Sequence, residues 1–357
     1  MSDANSDSSF ETHTETEIEV DIPPLDDDAG EEARQRQSRL TKPEGSLGDL
    51  EDLSVRIAGM KANPTPRLDQ KAVVTMAGDH GVVEEGVSAY PPEVTAQMVY
   101  NFLEDGAAVN SLADVADARN VVVDMGVAEE IESPDLVDKK VDYGTSNIAE
   151  EPAMTRSEAV EAVEAGRGVV REHVPDADVI GLGDMGIGNT TPSSAVTAYV
   201  ADATAEEVVG RGTGVDDDSL RKKTDVVETA VERADPEDAI DVLAELGGYE
   251  MGGLAGVALE AASRRVPVVV DGFITGAACL VAAEIEPDVT DYLLGSHSSV
   301  ESGHEVQFDC LGVDPLFDLD LRLGEGTGAC LAFNVFESAC TTLRQMATFD
   351  NAGVSDS

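Results

Sequence analysis

Apolar positions along this chain fall into two patterns: short β-branched runs that end in glycine, and longer stretches at helical spacing. AVVTMAGDHGV (72–82), NVVVDMGV (120–127), DVIGLGDMGIGNTT (178–191) and PVVVDGFITGAA (267–278) are the first four runs. DYLLGSHSS (291–299) and DLRLGEGTGA (320–329) complete the series. Nearly continuous apolar strands alternating with helices predict a parallel sheet covered on both faces. The expected class is therefore α/β, doubly wound, with a mainly parallel sheet of Rossmann-like topology. Right-handed crossovers place every glycine-rich turn along one edge, outside the strand carboxyl ends, and that edge is the default binding site.

Two further stretches are helical. Leu47, Leu50, Leu53 and Ile57 recur at three and four residues and predict a helix from near Ser46, with Pro43 and Gly45 before it. Leu331, Phe333, Phe336, Cys340, Leu343 and Met346 predict another from Ala329 to Ala347. Packed together, they would make a small helical subdomain from residues 37–70 and 329–357, beside a large α/β domain over 71–328. Residues 1–32 carry twelve acidic residues and no Lys or Arg, so 1–36 reads as a disordered acidic tail. The Ile18, Val20, Ile22 alternation is the one hint of an edge strand there.

Charge changes the picture of partners. With 23 Lys plus Arg against 72 Asp plus Glu, the formal net charge over 357 residues is −49, which argues against nucleic acid or an anionic membrane. Only seven of those cations are Lys, a surface resembling that of proteins from salt-accumulating halophiles. Any anion site must use backbone amides and a few placed cations. The sequence shows no long apolar run and no signal-like amino terminus, so the chain reads as cytoplasmic. Cys279, Cys310, Cys330 and Cys340 have no metal-like spacing, and the five His share none either, so neither a disulfide scaffold nor a metal is expected.

The loops carry the candidate chemistry. Gly181, Gly183 and Gly186 formally match a dinucleotide fingerprint, but no acidic residue ends a following strand about twenty residues on. Two readings remain for the turn before Thr190 and Thr191: a phosphate cradle at a helix start, or a tight strand-to-helix turn. Glu325, between Gly324 and Gly326 at a predicted strand end, is either a shielded general base or a carboxylate complementing a helix dipole. Tyr90, Gln97 and Met98, after the tandem Pro91–Pro92, suit an aromatic slot, although a helical Met serves a core equally well. Asp79 and His80 end the first run; Ser296, His297 and Ser298 end the fifth. Lys223 neutralises either a phosphate or a neighbouring carboxylate.

Taken in order, TKPEGSLGDLE (41–51), AGDHGVVEEGVSAYPPEVTAQMV (77–99), GDMGIGNTT, DGFITGAA, GSHSSVESGH and GEGTGA resemble the nicotinate-nucleotide:dimethylbenzimidazole phosphoribosyltransferases of cobalamin assembly. The resemblance covers roughly residues 38 to 350. It implies a homodimer that needs no cofactor or metal and moves phosphoribose from nicotinate mononucleotide to 5,6-dimethylbenzimidazole. It implies Glu325 as general base and Ser88, Tyr90, Pro91, Gln97, Met98 and Leu323 as the base pocket. Nucleotide and phosphate then fall to Gly183, Asp184, Gly186, Gly188, Asn189, Thr190, Thr191 and Lys223, with Asp271, Gly272, Gly295, Ser296, His297, Gly324 and Gly326. Two positions depart from the family pattern: Asp184 stands where Glu is usual, and Glu44 where a second proline is common. An NAD-dependent dehydrogenase and a non-catalytic nucleotide-binding homologue are the rival readings.

Overall fold

The computed structural model describes residues 18–212, 214 and 216–355. Its centre is a six-stranded sheet: β1 (Lys71–Gly78), β2 (Ala118–Gly126), β3 (Val137–Asp138), β4 (Val179–Met185), β5 (Val268–Val270) and β6 (Leu293–Gly295). The strand order is β3-β2-β1-β4-β5-β6, and every pairing is parallel. β1 is buried along its whole length, Lys71 and Thr75 included, as its largely apolar run requires in a sheet covered on both faces. Order reverses between β1 and β4, and the crevice beyond their carboxyl ends is where such sheets take ligands.

The helix Tyr249–Ser263 covers one face and is itself backed by Arg156–His173. Gly166 lets these two helices touch, since a Cβ there would collide with the Gly253 carbonyl. The helices Ala108–Ala116 and Thr327–Gln345 lie on the opposite face, where Ala329 and Phe333 sit against Gly181 of β4. No helix among the described residues is long and apolar enough to cross a membrane.

Three expectations need correction. The run 320–329 forms no strand: Gly324, Glu325 and Gly326 have φ of +79°, +64° and +95°, and three consecutive left-handed residues cannot lie in a pleated strand. The sixth strand of the sheet is instead β3, and a separate two-stranded pair joins β7 (His297–Ser298) to β8 (Phe317–Asp318). The predicted helix at Ser46 begins at Asp49, after Gly48 turns the chain at φ +54°.

The acidic tail is the third. Residues 1–17 lie outside the described residues, but 18–36 are ordered against the body. Asp26 caps a helix, Asp27–Gln37, by accepting from the Ala29 amide at 2.8 Å, and that helix buries Ala29 and Ala33. Ile18, Val20 and Ile22 pair with no strand; their apolar side chains rest on the core instead. Composition misled here because solvent-facing carboxylates outnumber the few small apolar residues that dock. The helix Thr327–Gln345 runs unbroken from the sheet to the terminal helices and packs against Asp49–Met60.

Arg36 ties the ends together. Its guanidinium donates to the carbonyls of Leu343, Arg344 and Met346 at 2.6, 3.0 and 3.1 Å, satisfying the otherwise unpaired end of the helix Thr327–Gln345. Arg36→Ala should lower unfolding free energy by about 1–3 kcal/mol in urea titration. Arg34→Ala, which breaks only a surface pair with Glu31, should leave it nearly unchanged.

Candidate active site

A cavity of about 380 Å³ opens at the carboxyl edge of the sheet. Asp184 near the end of β4, Gly272 past β5 and His297 past β6 reach it from below. Tyr90, Val94, Met98 and Leu323 form an apolar side, with Tyr90 and Leu323 more than half exposed. Asn189, Thr190 and Gly212 form the side opened by the helix Thr190–Val200, and Glu325 closes the floor.

Glu325 is only 4% exposed, and burial raises its pKa above the usual carboxylate value. The Val109 amide, 3.4 Å from Oε2, offsets part of that shift. A left-handed glutamate is strained by ~1–3 kcal/mol unless its surroundings hold it. Here its amide donates to the Asp184 carbonyl at 3.2 Å.

Asp271, fully buried one residue past β5, organises the same loop. Its two oxygens accept from the amides of Gly326 at 3.1 Å and Ala329 at 3.0 Å, at the start of the helix Thr327–Gln345. Burial still pushes its pKa up to about 7 against those amides. Asp184 is raised well above its ordinary value by burial and then by the Asp271 charge; its Oδ2 accepts from Asn189 Nδ2 at 2.9 Å, while Oδ1 has no partner among the described residues. His297 is held neutral by burial, its pKa lowered to about 4, with Nδ1 3.0 Å from Ser296 Oγ. Asp184, Asp271 and Glu325, at and beneath the floor, thus all have raised pKa values, and none makes an ion pair with a cation among the described residues.

Of the residues expected at a phosphate, Thr190 and Lys223 are joined and Thr191 stands apart. Thr190 lines the cavity, and beneath it the buried Lys223 ammonium donates to Thr190 Oγ1 at 2.8 Å and to the Gly210 carbonyl at 3.2 Å. Burial lowers the Lys223 pKa to about 8. Thr191, in contrast, lies behind the wall, and its amide is taken by the Gly188 carbonyl.

Of the residues singled out in the sequence, Tyr90, Met98, Asp184, Gly186, Asn189, Thr190, Gly272, His297, Leu323, Gly324 and Glu325 line one cavity. Ser88, Pro91, Gln97, Gly183, Gly188, Thr191, Lys223, Asp271, Gly295, Ser296 and Gly326 do not. Gln97 and Pro91 face solvent, and Ser88 accepts from the Tyr90 amide at 3.2 Å. Gly181 and Gly183 lie inside β4, where they admit Phe333 and the Glu325 carbonyl, so they form no dinucleotide turn. His80 pairs with Glu250 at 2.9 Å, both buried away from the cavity; burial opposes its protonation, but the carboxylate outweighs that and raises its pKa. Among the described residues no group of His, Cys, Asp and Glu is placed to hold a metal ion.

A family model described as Phosphoribosyltransferase matches residues 22–354. The chain belongs to this phosphoribosyltransferase family. It is 55% identical over 338 residues to the nicotinate-nucleotide–dimethylbenzimidazole phosphoribosyltransferase of Roseiflexus sp. (strain RS-1), covering 94% of this chain and 96% of that one. It is 53% identical to the Chloroflexus aggregans protein of the same name, with 94% and 96% covered. The crystal structure of the Thermus thermophilus protein of that name superimposes with a TM-score of 0.89 at 44% identity, over 93% of this chain and all of that one.

Within this phosphoribosyltransferase cavity several lining residues went unnoticed in the sequence. Val94, Met185, Ile187, Phe273 and Ile274 line it too, and nothing in an apolar residue distinguishes a wall from an interior. Arg322 had a signal: a cation beside LGEG in so acidic a chain is as conspicuous as Lys223, and it lines the cavity. Asp271→Asn would turn a donor toward the amides of the loop that carries Glu325. It should cost about 1–3 kcal/mol in denaturant unfolding, the penalty for unpaired buried polar groups.

Proposed function

We propose that this phosphoribosyltransferase moves the phosphoribosyl group of nicotinate mononucleotide onto 5,6-dimethylbenzimidazole, giving α-ribazole 5′-phosphate and nicotinate. The observation that carries the reading is the shielded Glu325 carboxylate at the floor of a cavity with an apolar side and a cation-backed hydroxyl side. A flat bicyclic amine suits the slot of Tyr90, Val94, Met98 and Leu323. The sugar phosphate suits Thr190, with Lys223 beneath it and Arg322 at the cavity wall.

Chemistry follows from that placement. Glu325 accepts the N–H proton of one ring nitrogen as the other nitrogen attacks C1′ of the ribose. The C1′–nicotinate bond breaks on the opposite face, so the carbon inverts and an α linkage results. Burial fits the base to its task, because a raised pKa strengthens its pull on the proton. Holding the acceptor in line with C1′ supplies the rest of the acceleration. High relatedness to the named transferases supports both substrates, and the resemblance of the motifs supports a cytoplasmic homodimer.

Chromatography of an incubation in concentrated salt should show nicotinate and α-ribazole 5′-phosphate formed in equal amounts. Nucleotide binding with no nicotinate release would refute catalysis. Glu325→Gln should keep nicotinate mononucleotide binding yet lower turnover by roughly 10²–10⁴-fold, and near-normal turnover would remove Glu325 from the mechanism.

Lys223→Ala should weaken nicotinate mononucleotide binding more than benzimidazole binding. In the unmodified protein that affinity should fall as pH rises through about 8, where the ammonium loses its proton, and the variant should lack this step. Calorimetric titration at pH 7 and pH 9 reads both effects.

A further inference from the structure

Glu325 needs its backbone held, because it keeps a left-handed conformation that glutamate disfavours. Its amide is fixed by the Asp184 carbonyl. Its own carbonyl points down into the sheet, where the Thr75 hydroxyl lies 3.1 Å away. Thr75 is fully buried in the middle of β1, in register with Gly183 of β4, and Gly183 leaves room for that carbonyl where a Cβ would collide with it.

A third residue completes the arrangement. Thr75 Oγ1 also lies 2.9 Å from Asn120 Oδ1, on β2. One hydroxyl hydrogen cannot serve two acceptors, and Asn120 Nδ2 is buried without a partner among the described residues. Turning the Asn120 amide over exchanges two atoms of equal shape and resolves the conflict. Asn120 Nδ2 then donates to Thr75 Oγ1, which donates to the Glu325 carbonyl.

Thr75 does not line the cavity and has no route to substrate except through Glu325. We propose that Thr75, oriented by Asn120, is a positioning residue that aims the Glu325 carboxylate by anchoring its carbonyl. The proposal rests on Glu325 being the general base. It links the middle of β1 to a loop 250 residues away in the chain.

Thr75→Val preserves size and β-branching but removes the donor. It should lower kcat by roughly 10–100-fold while KM for nicotinate mononucleotide stays within about twofold, the loss that misplacing a reacting group by an ångström brings. Thr75→Ser should restore most of kcat. In a Glu325→Gln background Thr75→Val should have no further effect. Thermal unfolding checks each variant; should Thr75→Val fail to fold, Thr75→Cys, which keeps the volume with a far weaker donor, takes its place in the same comparison. Wild-type kcat in the donor-less variant, or a loss that multiplies with that of Glu325→Gln, overturns the positioning role and leaves Glu325 as base. Near-normal turnover in Glu325→Gln alone overturns both.

Discussion

The site depends on a buried carboxylate meeting a helix start. Asp271 stands one residue beyond β5, pairs with no cation among the described residues, and takes the amides of Gly326 and Ala329 instead. Those amides are orphan donors at the positive end of a nineteen-residue helix, so each side supplies what the other lacks. The contact fixes where the loop 324–326 leaves the sheet. Gly328 then lies so close to Asp271 and His297 that no side chain fits there, and Glu325 is left facing the cavity. A rigid strand end thereby sets the position of a residue far along the chain.

Charge is managed differently inside and out. The surface of a chain with net charge −49 repels itself unless salt screens it, while at the cavity floor burial raises the pKa of the carboxylates, so that protonation rather than screening relieves their repulsion. Asp184, Asp271 and Glu325 all have raised pKa values, and burial is the first cause of each. Of the cations, Lys223 is sunk beneath Thr190 and Arg322 lies in the cavity wall. An apolar slot and a hydroxyl backed by a buried ammonium thus adjoin one shielded carboxylate.

Much of this architecture was legible in the apolar runs. β4, β5 and β6 fall within runs that read as strands, and β1 and β2 begin one and two residues before theirs, because a strand buried on both faces is largely hydrophobic. The run around Glu325 misled for a physical reason: its apolar residues flank three left-handed positions, and only the glycines hint at such a turn. The docked segment 18–36 misled because its contacts use a few alanines and isoleucines inside an acidic background. Gly183 read as a phosphate contact when its work lies within the sheet, admitting a carbonyl. Thr75 carried no signal at all, since a threonine in a β-strand is ordinary until the fold brings a distant backbone oxygen against it.

Whether Glu325 faces the acceptor's ring nitrogens is decided by a crystal structure with 5,6-dimethylbenzimidazole bound. The ring should stack between Tyr90, Met98 and Leu323, with one nitrogen about 2.6–3.2 Å from a Glu325 carboxylate oxygen, the reach of a general base. A ring seated elsewhere, or one whose nitrogens both face away from Glu325, would contradict it.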